Sequence, residues 1–359
     1  MNGYDVVVVG GGIGGLTVAA LLSARGLHVC LLERQSQVGG CIARVEFSGY
    51  DFEPGFGLYT SFGPDEIYDR LFSQLPVAVP QVSLLQSPYI LRRTDGSDTG
   101  VSMSALYSIA GGPASVAERL AESIKLSGGK VRLDTPVLRL AYDESGRAIG
   151  VDLLSGERVF ARMAIVSNLT IWDTYGKLVG LNRTPPEIKK QLNTLQGTGV
   201  YVIYAVMEEE AVTRLPALRM RVEDSEGQFT MAVASDAMGG KHPVTFTTET
   251  EIDSWFTYQS SEEDYDEWDQ AALEQFWKRV HTALPELGGD IEIIETANPR
   301  TYYDQTRRKL GMVLGVEGQP IQSHMTSLPN LFVVGDTVSL EANLDSVIES
   351  AVSLAESIR

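Results

Sequence analysis

Apolar positions in the first thirty-odd residues, YDVVVVGGGIGGLTVAALLSARGLHVCLLER, fall into runs separated by glycines. Val6 to Val9 are an unbroken β-branched run, the pattern of a strand buried on both faces of a parallel sheet. Leu16 to Ser23 predict a helix, Gly26 ends it, and His28 to Leu32 predict a second strand. Residues 64–75 open with proline and acids and then show helical apolar spacing. Short β-rich pieces broken by Pro80, Pro88 and Gly96 occupy 77–104. Gly111-Gly112-Pro113 leads into an amphipathic helix, Ala114 to Leu126, with Gly128-Gly129 after it. Residues 130–168 read as a strand and a β-meander with turns at Glu144-Ser145-Gly146 and Ser155-Gly156.

Beyond residue 170 the pattern predicts a buried strand at Val200 to Val206 and alternating β segments at 217–222, 228–236 and 243–250. The acid-rich stretch 249–274 carries Trp268, Leu273, Phe276, Trp277, Val280 and Leu284 near helical spacing, which reads as a helix with a solvated acidic face. Leu331 to Val334 predict a last buried strand. Leu344 to Ile358 predict a closing helix with Val347, Ile348, Ala351, Val352, Ala355 and Ile358 on one face.

At 359 residues the chain exceeds one typical domain, and 43% hydrophobic against 21% charged residues supply material for a core. The formal net charge of −18 argues against a nucleic-acid partner and against electrostatic attachment to anionic lipid, leaving an apolar patch as the one route to peripheral membrane contact. Cys30 falls inside a buried strand, so Cys30 and Cys41 suggest a reducing compartment rather than a disulfide framework. No apolar stretch approaches the roughly 20 residues of a membrane span, and no basic residue precedes the first apolar run. A cytoplasmic location is expected. His28, His242, His281 and His324 are scattered without metal-ligand spacing, so no metal site is expected, and no G-x-S-x-G marks a serine hydrolase.

Gly10, Gly12 and Gly15 have the G-x-G-x-x-G spacing between the first strand and the first helix. In that context the first glycine permits a tight turn, the second lets backbone approach a pyrophosphate, and the third lets helix pack on strand. The helix N-terminus then points its amides and dipole at the pyrophosphate. Glu33 closes the second strand 23 positions after Gly10, where an acid can bond ribose hydroxyls. The acid favours an unphosphorylated ribose, hence FAD or NAD over NADP. Gly39-Gly40 add a second close backbone approach on the same side of the sheet.

Glu33, then Gly39-Gly40, then Gly49-Tyr50-Asp51-Phe52 and Gly55 resemble the phytoene desaturase group of FAD-dependent oxidoreductases, within the amine oxidase superfamily. The stretch from Gly49 to Pro64 is similar to its carotenoid isomerase and retinol saturase branch. The Val166–Asn168 strand end, the Asn298–Tyr303 segment and Gly335-Asp336 after a buried strand resemble later elements of that group, in the same order. The resemblance implies an α/β fold: a Rossmann-like FAD-binding domain of glutathione-reductase type at 1–60, 105–175 and 298–359, with an interleaved α+β substrate cap at 61–104 and 176–297. It implies cofactor contacts from Gly10, Gly12, Ile13, Gly14, Gly15, Glu33, Arg34, Gly39, Gly40, Cys41, Val137, Gly335 and Asp336. Val137 would bond adenine through its main chain and Asp336 would meet the ribityl–pyrophosphate linkage.

The sequence departs from that group at three places. Cys41 and Glu53 stand where a small or basic residue and an aspartate are usual. Cys41 reads either as a small apolar filler or as a reactive thiol, and Arg44 either as a pyrophosphate counter-charge or as an exposed loop residue. After Asp336, Glu341, Ala342, Asn343 and Asp345 replace the usual glycines and proline, and a carboxylate there would oppose flavin reduction. Three functions follow. The first is an FAD-dependent dehydrogenase, desaturase or isomerase acting on an apolar, polyene or isoprenoid substrate by hydride transfer at flavin N5. The second is an amine-oxidase-type flavoenzyme with Tyr302 and Tyr303 as an aromatic wall. The third is a non-catalytic binding protein on a scaffold similar to GDP-dissociation inhibitors. No second G-x-G-x-x-G is present, so oxygen, a quinone or a pre-reduced flavin stand as electron partners. No catalytic residue is assigned; Glu53, Tyr59 and Tyr302 are candidates by position alone.

Overall fold

Six residues of β1 (Tyr4–Val9) enter the centre of a parallel sheet, with β2 (Val29–Leu32) on one side and the end of strand Arg158–Ser167 on the other. Val7 pairs with Cys30 in one direction and Ile165 in the other, and Val6 to Val9 are at most 3% exposed. Both faces of β1 are therefore covered, which is why the run has no polar alternation. Strand Lys130–Arg132 extends the sheet beyond β2, and Leu331–Val333 extends it beyond Arg158–Ser167. The first half of Arg158–Ser167 runs antiparallel with Ala148–Leu153, which pairs in turn with Val137–Tyr142. This computed structural model describes residues 3–55, 57–85, 89–101, 105–257, 262–313, 316–317, 326, 328–339, 341 and 343–358, with 257, 262–264 and 316–317 as backbone only. His324 and Ala342 lie outside the described residues.

Helix α1 (Ile13–Ala24) packs on one face of the sheet beside helices Ala114–Leu126 and Leu344–Ser357. Every side of α1 is buried from Ile13 to Ser23, as expected for a helix wedged between a sheet and two further helices. It starts three residues before the predicted Leu16 because Gly14 and Gly15 form its first turn rather than the preceding loop. The opposite face carries Leu140, Val151, Trp172, Tyr175, Leu178, Leu192 and Leu195.

The second domain is a seven-stranded mixed sheet in the order Ile291–Ala297, Gly199–Glu208, Lys241–Thr250, Gly227–Val233, Arg219–Asp224, Ile90–Arg92, Asp98–Gly100. Strand Gly199–Glu208 is buried on both faces. Tyr201, Ile203, Ala205 and Met207 meet Phe276, Val280 and Leu284 of the long helix Glu262–Ala283 and the chain just after it. Val200, Val202, Tyr204 and Val206 meet Phe52 and Ala297 on the side of the parallel-sheet domain.

Two stretches assigned to the cap pack elsewhere. Helix Ile67–Phe72 buries Ile67, Tyr68, Leu71 and Phe72 in the cluster built on α1. Leu178, Val179, Leu192 and Leu195 belong to the core beneath the opposite face of the parallel sheet. Amphipathic spacing states that a face is buried but not which neighbour buries it.

Candidate functional site

A cleft of about 550 Å3 opens along the C-terminal ends of the parallel strands and runs up to the second sheet. In open α/β sheets this is where ligands bind, because helix N-termini and loops converge there. Gly10 makes the first turn in a left-handed conformation, φ 100°. Gly12 is the N-cap residue of α1 and lines the cleft, and the nearest atoms a Cβ there would meet belong to the Asn168 carboxamide. Gly15 differs. A Cβ there would lie 2.3 Å from the Gly10 carbonyl oxygen, so Gly15 sets the helix–strand approach and does not line the cleft.

Gly39 and Gly40, at φ 113° and 59°, bring a second turn against the first: the Gly39 amide donates to the Gly11 carbonyl at 2.8 Å, and Gly12 and Gly39 pair as a bridge. Glu33 is 8% exposed, and its carboxylate accepts from the Gly11 amide at 2.6 Å and the Gln35 amide at 2.8 Å. Those bonds orient the acid at the cleft wall, and a carboxylate retains further acceptor positions for ribose hydroxyls. Gly10, Gly12, Ile13, Gly14, Glu33, Arg34, Gly39, Gly40, Cys41, Val137, Gly335 and Asp336 all line the cleft. Arg34 also donates to the Gln305 carbonyl at 3.1 Å, gripping the end of helix Pro299–Thr306.

Two further lining residues were given no site role by the sequence, Asn168 appearing there only as the end of the Val166–Asn168 strand. Asn168 directly follows strand Arg158–Ser167, and its Oδ1 accepts from the Gly15 amide, capping a first-turn donor of α1. Its position beyond the carboxyl end of a parallel strand is the only pointer a sequence could offer. Arg308 pairs with Asp336 and donates from Nε to the Met312 carbonyl at 2.7 Å.

Cys41 is half-buried beside Arg308. Burial pushes its thiol pKa up despite the nearby cation, which holds it protonated and suits the filler reading over the nucleophile. Arg44 pairs with Asp51 at 3.2 Å with its side chain half exposed. At the far end Phe47, Pro54, Tyr204, Ala297, Tyr302 and Val313 form a largely apolar wall. The Tyr204 ring lies 5.2 Å from Phe47 and 5.1 Å from Phe52 between centroids. Burial first, and the paired Tyr204 hydroxyl second, raise the Tyr302 pKa far above the phenol range, so Tyr302 is a neutral wall residue. Glu53 and Tyr59 lie outside the cleft wall. They bond to each other at 2.5 Å, with the Glu53 pKa raised by burial.

The acids after Asp336 do not enter the cleft. Asp345 accepts from Thr60 Oγ1 at 2.5 Å and Ser61 Oγ at 2.6 Å, and exposed Glu341 accepts from Asn343 Nδ2. Asn343 and Leu344 line the cleft instead, with Asn343 capping the closing helix through the Ser346 amide at 2.8 Å. The site thus keeps a helix N-terminus where negative charge is favoured, with the carboxylates turned away. These residues fit FAD: an acid at one end, two bare glycine turns and helix amides in the middle, and an apolar pocket at the other. Among the described residues no group of three or more His, Cys, Asp or Glu could hold a metal ion, and no helix is long and apolar enough to cross a membrane.

Comparison with known proteins agrees with this geometry. Residues 61–359 match the family of flavin-containing amine oxidoreductases, and residues 8–75 match an NAD(P)-binding Rossmann-like domain. A carotenoid 3,4-desaturase of Haloarcula japonica is 44% identical over 73 residues, 20% of this chain and 14% of the relative. A chloroplastic prolycopene isomerase of Daucus carota is 24% identical over 250 residues, 63% of this chain and 40% of the relative. The chain thus spans well under half the length of these curated relatives. An oxidoreductase structure from Methanosarcina mazei superposes with a TM-score of 0.74 at 16% identity, covering 98% of this chain and 99% of the other. A putrescine oxidase bound to putrescine gives 0.70 at 15% identity, with 99% and 98% covered. At these identities the two structures speak for the fold.

Proposed function

Because the chain belongs to the flavin-containing amine oxidoreductase family, we propose that it is an FAD-dependent oxidoreductase of desaturase or isomerase type acting on an apolar, polyene-like isoprenoid. One observation carries this reading: Glu33, the glycine turns and Asp336 share a single cleft that ends on the apolar wall of Phe47, Tyr204 and Tyr302. In this reading Glu33 receives the ribose hydroxyls, Val137 the adenine, the amides at Gly12 to Gly14 the pyrophosphate, and Asp336 the ribityl chain. Bound FAD supplies hydride acceptance or delivery at its N5. The chain supplies the rest. The two glycine turns hold the cofactor at a set depth, and the start of the closing helix favours negative charge on the ring. The apolar wall orients the substrate and excludes water.

The apolar character of that wall, built from Phe47, Pro54, Tyr204, Ala297, Tyr302 and Val313, supports a hydrocarbon substrate over a cationic amine. Oxygen or a quinone would close the redox cycle. The free thiols Cys30 and Cys41 support a cytoplasmic setting, and substrate delivery from a membrane surface would rest on apolar contact. The test is the visible spectrum of the purified protein, followed by release of any flavin on denaturation. A two-band spectrum with released FAD, bleached or reoxidised by a polyene under anaerobic conditions, is expected. A colourless protein that takes up no added FAD would overturn the redox reading.

A further inference from the structure

Five cationic side chains line the cleft, and four of them sit at its rim. Arg44, Arg307 and Lys177 have side chains 48%, 47% and 59% exposed, and Arg34 is exposed as well. Arg308 is 16% exposed. Burying a guanidinium is costly unless its donors are met, and here two corners are: Nε by the Met312 carbonyl and Nη2 by the Asp336 carboxylate. Among the described residues Nη1 donates to nothing, which leaves one corner of a pre-oriented fork uncommitted in a cleft wall.

The backbone around it is strained to hold that position. Arg307 and Leu310 both lie in the left-handed region, at φ 53° and 51°. Non-glycine residues there are strained and persist where the surroundings over-determine them. Gly311 follows at φ 66°, where a Cβ would lie 1.8 Å from the Pro299 carbonyl oxygen. Lys309 ties the segment down, its amide donating to Asp173 at 3.0 Å and its ammonium lying 4.8 Å from the Trp172 ring centre.

The ligand's charge says what the fork is for. Four carboxylate side chains line the cleft: Glu33, Glu46, Asp173 and Asp336. A dinucleotide would bring a doubly charged pyrophosphate beside them, and glycine-turn amides supply dipoles without net positive charge. We infer that Arg308 is the counter-charge for the cofactor pyrophosphate, held ready by Asp336 and donating through Nη1. This rests on the FAD reading above.

Equilibrium binding of FAD, ADP and riboflavin to wild-type and R308Q apoprotein tests it. Loss of one charged hydrogen bond predicts FAD and ADP affinities about 10- to 100-fold weaker in R308Q, with riboflavin, which has no pyrophosphate, unchanged. Equal FAD affinity in the two proteins would overturn the inference. So would parallel losses of FAD and riboflavin, which would put Arg308 on the ring. Phenylglyoxal labelling of the wild-type apoprotein covers an R308Q chain that does not fold. Arg308 should be modified in the apoprotein, protected by ADP and unprotected by riboflavin; modification indifferent to ADP, or none at all, overturns the inference. Wild-type protein that binds neither FAD nor ADP would remove the cofactor reading and this inference together, a different result from one in which FAD binds and Arg308 is silent.

Discussion

A methyl group added at Gly15 would lie 2.3 Å from the Gly10 oxygen and 3.2 Å from Val8 Cγ1, whereas at Gly12 its nearest neighbour is the far end of a side chain, Asn168 Nδ2 at 3.0 Å. The two positions should therefore separate stability from binding. Gly15→Ala must push α1 off β1, and urea unfolding should show a loss of about 1–3 kcal/mol, the usual cost of overpacking. Gly12→Val should unfold close to wild type yet retain no FAD after gel filtration; undiminished flavin content would refute the placing of the pyrophosphate. Glu33→Ala is intermediate. It strips the buried partner from the Gly11 amide as well as from the ribose, so FAD affinity and stability should each fall by about 1–3 kcal/mol. Calorimetry and urea titration on one preparation would show both losses or only one.

The strands and helices of the second domain carry a pH dependence of their own. His242 is the second residue of strand Lys241–Thr250 and is 5% exposed, with Nδ1 2.9 Å from the Ala234 carbonyl and Nε2 2.5 Å from Glu209 of helix Glu209–Arg214. Both neighbours only accept, so the ring is satisfied when both nitrogens carry protons. Burial opposes that charge, but the Glu209 and Ala234 bonds outweigh it, with the Asp236 charge adding to them, and raise the pKa above 6.5. A folded pKa above the unfolded one means the contribution is complete below about pH 6.5 and is lost as pH rises through the folded value. Thermal scans from pH 6 to 9 should show the wild type losing stability relative to His242→Gln, and parallel curves would count against the imidazolium. At this scale, too, a predicted stripe found an unexpected neighbour. Helix Ile67–Phe72 has the predicted apolar stripe, but α1 receives it, not the cap sheet.

For the whole molecule, the cleft exists only where two domains meet: the glycine turns and Asp336 from one, Tyr204 and Ala297 from the other. A cofactor binding there should stabilise the folded chain. FAD at about 100 times its dissociation constant should add about 2.7 kcal/mol, seen as a rise in melting temperature absent from Gly12→Val. The βαβ opening, the Gly10–Gly15 turn, Glu33 and Gly39-Gly40 were legible from residues alone, because strand burial, helix periodicity and tolerance of positive φ are written into short stretches of chain, whereas the Gly335-Asp336 strand end took its meaning from the family resemblance. Their common cleft followed from the order of those elements. Asn168 and Arg308 were not legible as site residues. Arg308 is a single polar residue in no local pattern, and Asn168, legible only as the end of the Val166–Asn168 strand, meets Gly15 across 153 positions. The acids after Asp336 misled for the same reason: Asp345 is close in sequence to the turn, but packing directs it to Thr60 and Ser61, 285 and 284 positions away. Local stereochemistry thus determined the turns and the βαβ frame. Which side chains complete the site depended on partners far apart in the chain, and only the closing of the two sheets around the cleft decided that.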